Sequence, residues 1–183
     1  MNKITAVLVA GAMLGSVCAA FAQEIEKPWV ASIGMYQSSL DETYIGSTVK
    51  ADAGISLTGS YTFKQDPSID YFLSVEADFF TVKEEMITFP MTKISTQAYR
   101  VSPMVGLRYA LNTEGTVYAA PAIGISYSHM DLAGDTRNNT KFVGSIALGY
   151  RADFWRAEVN WNVLHDNALD DGWGIKIGYR FYD

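Results

Sequence analysis

The sequence has few of the residues on which several common protein classes depend. It holds one cysteine, Cys18, and five prolines among 183 residues, which excludes a disulfide-stapled scaffold and a proline-rich linker. Lysine and arginine number 14 against 20 acidic residues, giving a net charge of -6, and the bases form no cluster. A protein that binds nucleic acid through its phosphates needs the opposite balance. We therefore expect no nucleic-acid partner.

Long apolar runs and helical periodicity are missing beyond residue 22. No stretch there reaches the roughly 18 apolar residues that indicate a membrane helix, and no window keeps a 3.6-residue period. Disorder is also excluded, because 49% of the residues are hydrophobic and 13% are aromatic. The chain therefore predicts one ordered domain of the all-β class.

The first 22 residues have the pattern of an export signal. One base, Lys3, precedes an apolar run rich in alanine and glycine, and the segment closes with Ala20-Phe21-Ala22, the small-x-small pattern of a cleavage site. A membrane anchor is the alternative interpretation. Val17 precedes Cys18 where a lipoprotein needs a small residue. We predict a signal peptide over 1–22 and a mature domain over 23–183.

The remaining sequence alternates with a period of two. Over Ala53–Phe63, one face carries alanine, isoleucine, leucine and aromatic residues, and the other carries glycine, serine and threonine. Pro103 would cost a backbone hydrogen bond within such a strand, so we expect a local bulge there. The pattern predicts eight strands. They lie at Trp29–Ser38, Ala53–Phe63, Asp70–Phe80, Tyr99–Tyr109, Val117–Ser128, Lys141–Arg151, Trp155–Val163 and Trp173–Phe181.

The connections between these strands alternate in length. Tight turns are predicted at 64–68, 111–115 and 152–154, and long polar loops at 39–52, 83–93, 129–139 and 165–171. A soluble β-sandwich also alternates, but its strands are shorter than these segments of about 10 residues. Aromatic residues gather at both ends of the apolar face, as at the two interfaces of a bilayer. The pattern favours a membrane barrel with its apolar face outward and both termini on the periplasmic turn side.

The signal, the eight alternating segments and the closing Gly178-Tyr179-Arg180-Phe181 resemble small eight-stranded outer-membrane β-barrel families, including the opacity-like proteins and the OmpA membrane domain. The resemblance implies an eight-stranded antiparallel up-and-down transmembrane β-barrel in the cell outer membrane of a Gram-negative envelope. It implies a monomer that contacts outer-membrane lipids, lipopolysaccharide and the barrel-assembly machinery. It suggests a non-enzymatic role in surface adhesion or envelope integrity, without a cofactor or bound metal.

Ionised residues fall on the inward face of the predicted barrel. Charges in a narrow interior are costly unless paired, so we expect a structural network across the lumen that leaves no open general pore; a polar pathway is the alternative. Asp70 also belongs to the inward set. The predicted network comprises Glu76, Asp78, Arg100, Arg108, Lys141, Arg151, Arg156, Glu158, Lys176 and Arg180.

Two histidines begin long loops and suggest a second hypothesis. His129 and His165 lie near serine and aspartate residues, the residue types of a Ser-His-acid hydrolase. His165-Asp166-Asn167-Ala168 is faintly similar to the His-x-Ser-Asn-Ala signature of barrel lipid A deacylases, but Asn167 occupies the nucleophile position. An outer-leaflet lipid A hydrolase therefore stays an alternative. A carrier of small hydrophobic ligands is a third.

The loops are acidic, which predicts a rim that binds divalent cations shared with lipopolysaccharide, a basic partner or a host ligand. Solvated loop without a partner is the simpler interpretation. The apolar segment Met86–Met91 is predicted either to extend a hairpin above the bilayer or to form a contact patch. The acidic residues are Asp41, Glu42, Glu84, Glu85, Asp131, Asp135, Asp166, Asp170 and Asp171, against Lys50, Lys83, Lys93 and Arg137.

Overall fold

Every regular element in the described part of the chain is a β-strand. The computed structural model describes residues 29–39, 41–44, 47–86, 92–132, 135–163 and 171–181; the predicted signal peptide lies outside these ranges. No helix within them is long and apolar enough to cross a membrane. The strands are β1 (Trp29–Ser38), β2 (Asp41–Tyr44), β3 (Ser47–Ala51), β4 (Gly54–Asp66), β5 (Ile69–Met86), β6 (Thr92–Ala110), β7 (Val117–Leu132), β8 (Asp135–Arg151), β9 (Trp155–Val163) and β10 (Gly172–Phe181).

Eight of these strands close into a barrel. Their order is β4-β1-β10-β9-β8-β7-β6-β5, every neighbouring pair is antiparallel, and β5 pairs with β4 to complete the circle. Closure gives each strand two hydrogen-bonded neighbours, which removes the sheet edges that an open sheet would expose. The predicted fold class is confirmed.

The barrel has a turn end and a loop end. The tight connections β4–β5, β6–β7 and β8–β9 define the turn end, where β1 also begins and β10 ends, with Trp29 paired to Phe181. The other four connections, β1–β4, β5–β6, β7–β8 and β9–β10, lie at the loop end. The two sets of connections therefore lie at the ends that the sequence predicted.

The predicted strands were too short at the loop end. The hairpins β5–β6 and β7–β8 continue their pairing through most of 83–93 and 129–139, which we expected to be loops. The predicted loop 39–52 contains β2 and β3, and β3 pairs with β5 beyond the end of β4, from Ala51 opposite Val82 to Ser47 opposite Met86. Polar segments can pair as strands without the apolar alternation that marks the bilayer-crossing part.

The faces of the barrel are the reverse of those in a soluble protein. Ile123 on β7 is 68% exposed, whereas Ser56 and Arg100 on inward positions are completely buried. The predicted outward apolar face is therefore confirmed. On β1 the inward, buried residues include Val30, Ser32, Tyr36 and Ser38. The exposed apolar side chains include Ile33, Met35, Ile55, Leu57, Val105, Tyr109, Ile125, Ile146, Leu148, Trp155, Trp161, Ile175, Ile177 and Tyr179.

The prediction of a bulge at Pro103 is wrong. The register across β6 and β7 is the same on both sides of it, since Val101 lies opposite Tyr127 and Met104 opposite Gly124. The pairing to β7 is interrupted at Pro103 while the pairing to β5 is continuous, so the missing N–H is accommodated on the β7 side without a register shift. A register shift occurs instead between Thr62 and Lys64.

Candidate functional site

A group of ionised side chains, the loop-side cluster, fills the lumen toward the loop end. Arg100 is its centre. It donates from Nε to Asp78 Oδ2 at 2.9 Å, from Nη2 to Glu76 Oε1 at 2.6 Å, and from Nη1 to Tyr36 Oη at 3.0 Å. Its guanidinium carbon also lies 4.3 Å from the centre of the Tyr36 ring. The loop-side cluster comprises Tyr36, Glu76, Asp78, Arg100, Asn162 and Lys176.

Glu76 connects this cluster across the lumen. Lys176 on β10 donates to Glu76 Oε2, and Asn162 on β9 donates to Glu76 Oε1 at 2.9 Å. Glu76 is on β5, so the contacts join strands on opposite sides of the barrel. The cluster holds two cations and two carboxylates, all buried, and its formal charge is zero. Such pairing offsets the cost of removing these charges from water.

A second group, the turn-side cluster, occupies the other half of the lumen. It comprises Ser60, Arg108, Tyr118, Arg156 and Glu158. The two arginines share one acceptor, because Arg108 Nη2 and Arg156 Nη2 donate to Ser60 Oγ at 3.2 and 3.1 Å. Glu158 accepts a hydrogen bond from Tyr118 Oη at 2.7 Å and lies 3.7 Å from Arg156 Nη2. Two cations here meet one carboxylate.

The guanidinium of Arg108 is also held from the turn end. Its Nη1 donates to Thr62 Oγ1 at 3.2 Å, and its Cζ lies 4.1 Å from the centre of the Phe72 ring. Contact with an aromatic face stabilises a cation when water is excluded. The side chain is therefore fixed by packing as well as by hydrogen bonds.

Arg151 joins the lumen to the turn end. It forms an ion pair with Asp70 and donates from Nη2 to the backbone oxygen of Gly115 at 2.9 Å. Gly115 has φ of 68°, the left-handed conformation that glycine adopts at little cost, in the β6–β7 turn. At the same end Arg180 donates to Ala152 O at 3.3 Å. These contacts fasten the β6–β7 and β8–β9 turns to the barrel.

The ten predicted network residues do not form one network in the structure. Seven of them enter the two clusters, while Arg151 and Arg180 lie at the turn end. Lys141 is half-buried on β8 opposite Ser126 and lies outside both clusters as defined.

The predicted network did not include Tyr36, Asn162, Tyr118 and Ser60, because the prediction considered ionised residues only. Their signal was the alternation itself, since each has the inward phase of its strand.

Small inward residues make room for the large ones. A Cβ added to Gly149 on β8 would overlap the Tyr118 ring on the neighbouring strand β7. The absence of a side chain at Gly149 therefore positions the hydroxyl that binds Glu158. In a barrel of eight strands, whose interior is just wide enough for side chains, such a large-against-small arrangement is expected.

His129 lies apart from the buried serines. Its ring stacks on Tyr99 with centroids 4.9 Å apart, and its Nδ1 lies 2.7 Å from Asn138 Oδ1. Ser126 and Ser128, which the sequence places beside it, are buried at inward positions of β7. His165 and the apolar segment 87–91 lie outside the described residues. Within the described ranges, no group of three or more His, Cys, Asp or Glu residues is placed to hold a metal.

The sequence also matches a known protein family. The sequence model of the outer membrane protein beta-barrel domain matches residues 7–183. The chain belongs to this outer-membrane β-barrel family. It is accordingly a protein of the cell outer membrane, and the bare apolar face described above is its lipid-facing surface. No curated protein matches the chain by sequence.

Solved structures show the same fold at low sequence identity. The barrel is similar to the attachment invasion locus protein Ail of Yersinia pestis in complex with the heparin analogue sucrose octasulfate, with 18% identity, a TM-score of 0.52, and coverage of 86% of this chain and 100% of Ail. It is similar to OprG from Pseudomonas aeruginosa, with 12% identity, a TM-score of 0.54, and coverage of 86% and 98%. Neisserial surface protein A has 12% identity and a TM-score of 0.51, with coverage of 84% and 96%.

Proposed function

We propose that this barrel is a non-enzymatic surface scaffold that presents its loop-end hairpins to the cell exterior, with a role in adhesion or envelope integrity and with no open general pore. The carrying observation is the lumen, where buried Arg100 is bonded to Glu76 and Asp78 on the neighbouring strand, and Glu76 is bonded to Lys176 across the barrel. Meanwhile β5–β6 and β7–β8 extend beyond the neighbouring strands. A rigid wall that carries projecting hairpins suits presentation rather than transport.

The charge of the loop end bears on the kind of partner. Acidic residues outnumber basic ones in the four long connections. Ail was solved with a polysulfated heparin analogue, but an acidic rim repels a polyanion. For this chain we therefore propose a basic surface, or lipopolysaccharide bridged by divalent cations, as the partner.

Two cysteine variants test the presentation. Asn138→Cys lies on the exposed β7–β8 hairpin, and Glu114→Cys is its matched control in the exposed β6–β7 turn. Once the proposed signal peptide is removed, each variant carries a single thiol, because Cys18 is the chain's only cysteine. A membrane-impermeant maleimide should label Asn138→Cys on intact cells and label Glu114→Cys only after lysis. The reverse result would contradict the proposed orientation.

Attachment assays test the partner. Cells that carry the protein should adhere more strongly to a polylysine-coated surface than cells without it, and Asp131→Asn with Asp135→Asn should reduce that gain. Adhesion that is unchanged by the protein on cationic surfaces, or that is stronger on heparin, would contradict the proposed chemistry.

The described residues give the hydrolase alternative no assembled site, since His129 is bonded to an amide and the neighbouring serines face inward. Lipid A from cells with the wild-type protein and with His129→Ala/His165→Ala should have the same mass spectrum. A lipid A species that depends on either histidine would require an enzymatic function.

A further inference from the structure

A cavity of about 40 Å³ lies in the lumen between the two clusters. Arg108, Arg156 and Glu158 line it on the turn side, and the bonded pair Glu76 and Lys176 lines it on the loop side. The rest of its wall consists mainly of small side chains. They include Thr58, Ser74, Ala120, Ala122, Ser145 and Ala147.

The charges around this cavity do not balance. The loop-side cluster is neutral by itself, whereas Arg108 and Arg156 share the single carboxylate of Glu158, 3.7 Å from Arg156. The two guanidiniums are neighbours because both bond to Ser60 Oγ. Asp70 is occupied by Arg151 at the turn end. Among the described residues, the turn-side cluster therefore has one positive charge in excess, in a place where low polarity strengthens every charge.

Hydrogen-bond donors on the same two arginines lack acceptors. Arg108 and Arg156 are only 6% and 3% exposed, and the buried Nε–H of each has no partner among the described residues. Thr58 Oγ1, also on the cavity wall, is likewise unsatisfied there. A buried donor without an acceptor costs free energy, more so when it belongs to a charged group. A bound anion would accept hydrogen bonds from these donors and would also neutralise the excess positive charge.

We propose that this cavity binds one small monovalent inorganic anion of the halide class, held between Arg108 and Arg156. The volume holds about three water-sized spheres, which suits a chloride ion with one or two waters. Water alone would satisfy the donors but would leave the excess charge. The anion would link β6, β9 and β4, the strands of Arg108, Arg156 and Thr58, beside the crossing ion pair of Glu76 and Lys176.

Bromide diffraction tests the site directly. Crystals of the wild-type barrel are soaked in sodium bromide, and data are collected at the bromine absorption edge. The expected result is an anomalous peak inside the lumen, between the two guanidiniums. A lumen without a bromide peak, filled by water or by a rearranged side chain, would overturn the proposal, as would bromide bound only on the exterior.

Unfolding in different salts provides a second test. At equal ionic strength, replacing gluconate by bromide should stabilise the wild-type barrel in lipid vesicles, with a gain of about tenfold in the folding equilibrium constant at ten times the dissociation constant. Arg156→Gln removes the excess charge and should abolish the gain. Lys64→Gln, which removes an exposed cation that does not line the cavity, is the control and should keep the gain.

A third variant serves if Arg156→Gln fails to fold. Glu158→Gln raises the excess to two positive charges and should increase the stabilisation by bromide. Equal gains in wild type, Glu158→Gln and Lys64→Gln would instead overturn a specific site, even where bromide stabilises all three.

Discussion

Arg100 has the largest fully buried side chain in the described part of the barrel. It serves three acceptors on two strands, Tyr36 on β1 and Glu76 and Asp78 on β5. A buried ion pair is no guarantee of stability over an apolar core, but loss of one partner leaves the others charged and unpaired. The lumen should therefore tolerate single substitutions poorly at this residue.

Replacing Arg100 by methionine should lower the free energy of unfolding by about 3–5 kcal/mol, because Asp78 and Glu76 lose their shared cation. Lys64→Met is the control, since Lys64 pairs with Asp66 at a position where both are substantially exposed, and such pairs contribute about 1 kcal/mol or less. Urea unfolding in lipid vesicles measures both. Equal losses of unfolding free energy in the two variants would show that the buried cluster contributes no more to stability than the exposed ion pair.

Gly149 should be intolerant of any side chain. Gly149→Ala places a methyl group against the Tyr118 ring, and overpacking of this kind costs about 1–3 kcal/mol. Gly59→Ala is the matched control, since a Cβ there meets nothing within 4 Å. Both variants are compared by the temperature at which the folded band disappears in semi-denaturing gels. Similar shifts for the two would contradict the packing argument.

Alternation was sufficient to identify which residues enter the lumen, but not which of them meet. Asp78 and Arg100 are cross-strand neighbours on β5 and β6, a pairing that register alone can supply. Lys176 and Glu76 are on β10 and β5, with β1 and β4 between them. Their contact depends on the tilt and stagger of the closed barrel and on side-chain length, none of which appears in one strand's pattern.

Only part of the length of some strands could be predicted from the sequence. In β7 the apolar alternation marks the part from Val117 to Tyr127, and the strand continues to Leu132 without that signal. Lipid selects apolar residues on one face, whereas water accepts almost any residue on both. The bilayer-crossing portions were therefore predictable, and the extensions at the loop end were not.

A charge on the outer face should have a depth-dependent cost. Ile123 lies midway along the apolar part of β7, and Val117 lies on the same face at the turn end. Ile123→Arg should destabilise the barrel in vesicles by about 2–4 kcal/mol, and Val117→Arg by about 0–1 kcal/mol. The two free energies of unfolding are compared with wild type in the same lipid. Equal costs would contradict the placement of β7 in the bilayer.

The described part of the molecule is a closed wall whose lumen holds two ion clusters. The eight neighbouring pairings complete the circle, and two ion clusters occupy the lumen. Both the lipid-facing surface and the polar lining of the lumen follow from a single alternating pattern, because successive side chains of each strand point to opposite faces.

Vesicles that contain the purified barrel should swell in isotonic arabinose no faster than protein-free vesicles. This result is expected if the two clusters obstruct the path of a solute larger than water, as the proposed function requires. A large-pore porin provides the positive control. Swelling at a rate close to that of the porin would contradict the proposed absence of an open pore.

β3 also covers an edge of β5. Beyond the end of β4, it pairs with Val82–Met86. Without β3, the backbone donors and acceptors of Val82–Met86 that face it would be free to recruit a strand from a neighbouring molecule. Deleting residues 41–51 should therefore produce more cell clumping or intermolecular cross-β association than the intact chain shows.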